Sequence, residues 1–231
     1  MVQKLVFFGA SAFGEIAEIA RDVTRAGHEY EIVGILDDNS ALHGSYVEGT
    51  PVLGPLEQAR DLTDVQFVFG IGSARLRLVR HEILGRLNLP NERFATLIHP
   101  TAKVYPTVKV GHGTIIFPGA VIFGDTTVED FVQILANTVV GVKNRICEGA
   151  LLTSLVSTTS RVTVGHYAHI GTCSAIAENV MVGPGAQVGM ASLVGRDVPP
   201  GAFVVGQPMR FLDKVDVPQV ILDRWAAIKL A

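Results

Sequence analysis

Residues 110–140 read "VGHGTIIFPGAVIFGDTTVEDFVQILANTVV", with an aliphatic side chain at Val110, Ile116, Ile122, Val128, Ile134 and Val140. The beat begins at Val104 and continues unbroken through Ile146, Leu152, Thr158, Val164, Ile170, Ile176, Val182, Val188 and Val194. Fifteen of these sixteen positions are aliphatic, and Thr158 is the exception. Four residues after each comes a mostly small or branched side chain, among them Thr114, Ala120, Thr126, Thr138, Ala150, Ala168 and Ser174. Glycine often follows the aliphatic directly, as at Gly111 and Gly165, and suits the geometry of a tight corner. A repeat of six is the pattern of a hexapeptide β-helix, in which each hexad supplies one short strand and one corner. Three hexads close a triangular coil, so residues eighteen apart stack and about five coils are expected.

The first ~95 residues follow another rule. "KLVFF" (4–8) is a short strand running into Gly9, and Phe13, Ile16, Ala17, Ala20 and Val23 then recur at helical spacing. "YEIVGIL" (30–36) and "VQFVFGIG" (65–72) give two further strands, with helices expected near 56–62 and from Arg75 to Leu87. Strands alternating with helices predict a small Rossmann-like α/β domain over 1–96, ahead of the β-helix over 97–212. The remainder, 213–231, contains "VPQVILDRWAAIKLA" and predicts a short amphipathic helix that packs against a neighbour.

Composition narrows the function. The formal charge of −3 offers no electrostatic support for nucleic acid binding. No apolar run approaches a membrane span, and the sequence opens directly into a strand, so a cytoplasmic protein without a leader is expected. Cys147 and Cys173 have no metal-ligand or paired spacing and read as filler in a reducing compartment.

In "FFGASAFGEIAEIARD", Gly9, Ser11 and Gly14 lie between a strand and a helix. Such a turn aims backbone N–H groups and the positive helix end at a phosphate. Asp37, about twenty residues on, closes the second strand where a carboxylate can hold a ribose or base. The alternative is that these glycines are simple turns and that the acids cap a loop. An NAD site is a further reading, opposed by the room for only half a dinucleotide fold and by the lack of a dehydrogenase-type catalytic domain.

These pieces, with "VGILDDN", "PVLGPLE", "FVFGIGSARLR", "LIHPTAKV", the hexads and the closing "DVPPGAFVVGQPMRFL", resemble the sialic acid O-acetyltransferase and nucleotide-amino-sugar N-acetyltransferase family. The resemblance covers nearly the whole chain and implies a left-handed β-helix, an exception to right-handed crossovers. It implies acetyl-CoA as cosubstrate, a nucleotide-linked amino sugar as acceptor, no bound cofactor, and a homotrimer with sites between neighbours. The sugar nucleotide would be held by Gly9, Ser11, Phe13, Gly14, Asp37, Asp38, Gly72 and Arg75, with Phe13 where the family has a histidine.

The family's catalytic hexad, apolar-Glu-His-Asp/Glu-Cys, falls on Thr158-Thr159-Ser160-Arg161-Val162. Ser160 thus stands at the place of the general base, and Arg161 at that of its orienting acid. "VTVGHYAHI" matches the following hexad and puts His169 on the acyl-CoA side, with Glu178 and Met190 as further acyl-CoA contacts. Stacking makes Glu178 the coil neighbour of Ser160. His166 reads either as a solvated corner residue or as a substitute base. No metal site is expected, because His166 and His169 are three apart and lack a second pairing. An amine acceptor needs a base less than a hydroxyl does, so Ser160 favours N-acylation, with a catalytically silent sugar-nucleotide-binding homologue or assembly partner as the alternative.

Overall fold

The computed structural model describes residues 2–72 and 75–229, so Ser73 and Ala74 of the third-strand motif lie outside it. Strands β1 (Gln3–Phe8), β2 (Tyr30–Leu36), β3 (Tyr46–Val47), β4 (Thr50–Gly54) and β5 (Gln66–Phe69) form one sheet in the order β3-β4-β2-β1-β5. β1 runs parallel to β2 and β5, and β2 to β4; α1 makes the crossover from β1 to β2. Helix α1 (Phe13–Arg25) buries Phe13, Ile16, Ala17, Ile19, Ala20 and Val23, the stripe read from the sequence with Ile19 added.

Two boundaries differ from the sequence reading. The element expected near 56–62 is a five-residue 3₁₀ turn, Leu56–Arg60, which buries Leu56 and Ala59. An i, i+3 apolar pair suits three residues per turn. Helix α2 spans Val79–Leu87 and begins later than Arg75, because Leu78 at its N-cap has no side chain able to hold the first N–H groups.

From Leu97–Ile98 onward the chain is a parallel β-helix of two-residue strands. Each pairs with the strand eighteen residues on, as Val121 does with Val139 and Ile122 with Val140. The strands stack into three faces. The first holds the strands ending at Val104, Ile122, Val140, Thr158, Ile176 and Val194. The second holds those ending at Val110, Val128, Ile146, Val164 and Val182, and the third runs from Leu97–Ile98 through His169–Ile170 to Ala202–Val205. The aliphatics from Ile116 to Val194 are buried within the prism, where each contributes roughly 1.5–3 kcal/mol by leaving water.

Fourteen successive corners, every sixth residue from Gly113 to Ala191, have positive φ, and ten of them are not glycine. A left-handed conformation costs an L-residue roughly 1–2 kcal/mol. Here it aims the corner N–H at the coil below, as Tyr167 N donates to Glu148 O at 2.9 Å. Hydroxyls at the small position stitch the same corners: Thr114 Oγ1 donates to Glu129 O at 2.8 Å and accepts from Val132 N at 3.1 Å.

Thr158 is the same device turned inward. It is 3% exposed, and its hydroxyl accepts from Asn144 Nδ2 at 2.6 Å. Asn144 Oδ1 in turn accepts from Val162 N at 2.7 Å. The missing aliphatic makes room for a buried, satisfied amide rather than for chemistry.

The last hexad strands lead into Ala202–Val205, whose partner Arg210–Lys214 runs antiparallel and is exposed along its length. Helix α3 (Gln219–Lys229) then folds back onto its own chain, burying Ile221 and Trp225. The expected docking on a neighbour is therefore made within the chain. Among the described residues no helix is long and apolar enough to cross a membrane.

Candidate active site

The α/β domain covers the third face of the prism. Gln133 on that face donates to Phe69 O at 3.1 Å, and a Cβ added to Gly72 would lie 2.5 Å from Gln133 Oε1. A side chain at 72 would displace the Gln133 amide from the seam between the two parts. Arg80 of α2 is 1% exposed and donates to Gly149 O at 2.7 Å and to Phe131 O at 2.6 Å. Burial lowers its pKa to about 10, so the guanidinium stays charged at neutral pH.

Between the two parts lies a cavity of about 300 Å³, lined by Ala12, Glu15, Gly72, Gln133, Thr153 and His169 among others. His169 reaches it from a third-face strand that pairs with Leu151 below and Gln187 above. Its Nδ1 is buried without a hydrogen-bond partner. Burial, and then the charge of Arg77, push the imidazole down to about 4, so it is neutral at pH 7.

This shift has a testable sign. Above pH ~6.5 both the folded and the unfolded chain hold a neutral His169 and nothing changes. Between ~6.5 and ~4 only the unfolded chain takes the proton, so stability falls as pH falls, by roughly 2 kcal/mol at pH 5 from this residue. Denaturant melts at pH 7 and pH 5 should show that loss, and His169→Ala should reduce it; equal slopes in both proteins would refute the assignment.

The structure separates several residues that the sequence grouped. Gly9 and Ser11 remain in the turn after β1, with Gly9 at φ +89°. Phe13, expected beside the sugar, is fully buried edge-on against Phe7 at 5.1 Å, because it starts the inward stripe of α1. Asp37 ties the turn to the loop after β2: its oxygens accept from Ala10 N and Asn39 N, both at 2.8 Å. Asp38 accepts from Leu56 N at 3.0 Å and from Arg86 at 2.6 Å. The loop-capping alternative thus describes the present contacts of both acids. Gly14 lies against the Glu48 carboxylate, and Arg75 is exposed.

Ser160 lies at the corner joining the first and second faces, opposite the third face that carries His169. Its partial neighbours are Arg161 and Glu178, which form an exposed ion pair; Arg161 Nε also donates to Asn179 Oδ1 at 2.8 Å. Met190, 74% exposed, is at the corner between the third and first faces. One chain therefore does not bring Ser160 and Glu178 to His169, whereas Met190 N lies beside Gly171, two residues past His169. His166, read as a solvated corner residue or a base, is 2% exposed. Glu15, Gln133 and Thr153 were missed, since hexad spacing does not tell which face the other domain covers.

Residues 4–84 match the family model of the PglD N-terminal domain. The chain is 32% identical over 128 residues to serine acetyltransferase 4 of Arabidopsis thaliana, covering 54% of this chain and 32% of that protein. It is 30% identical over 105 residues to UDP-N-acetylbacillosamine N-acetyltransferase of Bacillus subtilis, covering 45% of this chain and 47% of the relative. The chain thus spans less than half the length of these curated relatives. The acetyltransferase domain of PglB from Neisseria gonorrhoeae superposes with a TM-score of 0.78 at 26% identity, over 91% of this chain and all of that domain. A second structure of that domain holds acetyl coenzyme A. A PglD-type N-terminal domain over residues 4–84, docked on a left-handed β-helix of hexads, is thus the architecture that this chain shares with the PglB acetyltransferase domain.

Proposed function

We propose that this chain transfers an acetyl group from acetyl-CoA to the amine of a nucleotide-linked amino sugar. The observation that carries the reading is the interdomain cavity in which His169, neutral and with an unpartnered Nδ1, faces the glycine turns of the α/β domain. Glu15 is the one carboxylate among the described lining residues, and no lysine or arginine lines the cavity with it. That charge suits an amino sugar better than an acidic one. In the reaction the free amine attacks the thioester carbon, the C–N bond forms and the C–S bond breaks. The departing thiolate takes up the proton that the amine loses. His169 donates an N–H to the oxygen that becomes negative, and its depressed pKa keeps it a neutral donor.

Ser160 enters this reading through assembly. The first face of the prism is uncovered and carries exposed Val139 and Leu193, with Val142 and Leu155 at its two corners. An apolar face of this kind supports a homotrimer in which the Ser160 corner of one copy closes the His169 cavity of the next. The activity is tested by thiol release from acetyl-CoA with UDP- and dTDP-linked amino sugars, with L-serine as control. Release with an amino sugar is expected; binding without release across the panel would establish the silent alternative. For the shared site, Ser160→Trp and His169→Ala are each expected to lose about a hundredfold or more of the rate when alone. Co-expressed as mixed trimers they should regain activity, and mixed trimers as slow as either parent would refute a site built across copies.

A further inference from the structure

On the edge between the second and third faces, away from the cavity, Glu129, Cys147 and His166 converge from three successive coils. One ligand-type atom from each lies within 4.8 Å of the other two. Cys147 is fully buried and His166 is 2% exposed, whereas the Glu129 side chain is 18% exposed. His166 Nε2 is 3.8 Å from Glu129 Oε2, beyond hydrogen-bond reach, and its Nδ1 is buried without a partner. A buried imidazole nitrogen without a hydrogen-bond partner calls for an explanation.

We propose that Glu129, Cys147 and His166 bind a single zinc ion. Thiolate, imidazole and carboxylate are the donor types of zinc, at about 2.0–2.3 Å from the metal. Tetrahedral ligation at those lengths sets donor atoms roughly 3.5 Å apart, so the cluster must close by about 1 Å. The fourth position opens on a cavity of about 280 Å³ beneath α3, lined also by Ala227 and Ile228.

Two arginines stand nearby, and charge decides whether they forbid a cation. Arg224 is committed to Glu148, Nη2 to Oε2 at 2.9 Å, which leaves that pair neutral. Arg145 Nε donates to Glu129 Oε1 at 2.8 Å, but its side chain is 44% exposed and can swing into solvent. Zinc then meets the Glu129 carboxylate and the Cys147 thiolate, two negative charges for two positive, while the thiol proton passes to solvent on binding. Glu129 Oε2 already accepts from Glu148 N at 2.9 Å, which fixes the carboxylate for its ligand. The histidine spacing considered in the sequence hides this set, because its members are joined by stacking of coils.

The experiment is a zinc titration of the chelator-stripped full chain against a chromophoric competitor, with cobalt as spectroscopic probe. Uptake of one zinc per chain is expected, with a thiolate-to-cobalt charge-transfer band in the near ultraviolet. Cys147→Ser and His166→Gln should each weaken binding at least tenfold and remove or shift the band, while Cys173→Ser leaves both unchanged. Should Cys147→Ser fail to fold, Glu129→Gln decides by the same tenfold loss. No uptake, uptake indifferent to Cys147→Ser and Glu129→Gln, or a band that follows Cys173 would overturn the site.

Discussion

His169→Ala is expected to lower kcat for acetyl transfer by roughly 10²–10³, the usual cost of one oxyanion donor. Its imidazole occupies the wall of a cavity that also holds Gly72 and Glu15, and its Nδ1 has no partner in the folded chain. An unsatisfied polar atom there is free to meet a group of the substrates in the proposed reaction. In the proposed reaction the charge it meets develops only as the amine attacks, so the loss should appear in kcat, with KM for acetyl-CoA within about threefold. His169→Gln retains an N–H donor on a side chain of comparable reach and should recover part of the rate. If both variants turn over like the parent, the cavity is not where the thioester reacts.

The second large effect concerns the joint between the two parts of the chain. Arg80→Ala should reduce stability by about 3 kcal/mol, since buried carbonyls without a donor cost roughly 1–3 kcal/mol each. The carbonyls of Phe131 and Gly149 sit at left-handed corners of the prism, and the Arg80 guanidinium answers both. The same group lies over the Phe69 ring at 5.4 Å, so its removal also opens the aromatic packing between the domains. Denaturant melting should show the lower midpoint together with an earlier phase in which the α/β domain melts on its own. Arg80→Lys can reach one carbonyl and should recover less than half of the loss. A single transition at the parent's midpoint would show that α2 is held by other contacts.

The hexad rhythm was legible because one aliphatic per corner-to-corner step leaves no other economical way to bury the side chains. Thr158 was not legible as core, because its partner Asn144 is fourteen residues away and only coil closure sets them together. The site was half legible. Family spacing leads to His169, but it cannot say that α1 and the loop after β5 cover that face, since those contacts depend on how the domains dock. Phe13 was misplaced for a local reason: helix phase turns it inward, whatever its position relative to the glycines. The cluster at Glu129, Cys147 and His166 was overlooked because steps of eighteen and nineteen residues resemble no linear ligand motif.

The reversal at Arg210–Lys214 settles a matter of scale. A stack of identical parallel rungs has no inherent reason to stop, and its top could receive a rung from another molecule, then another, as a fibril does. By running antiparallel to Ala202–Val205, the last strand offers an incoming hexad the wrong polarity. Arg210, Asp213 and Lys214 put alternating charge along its exposed rim. Five residues thereby turn the end of the third face, the one that carries the α/β domain, from a seed for a thread into a closed edge.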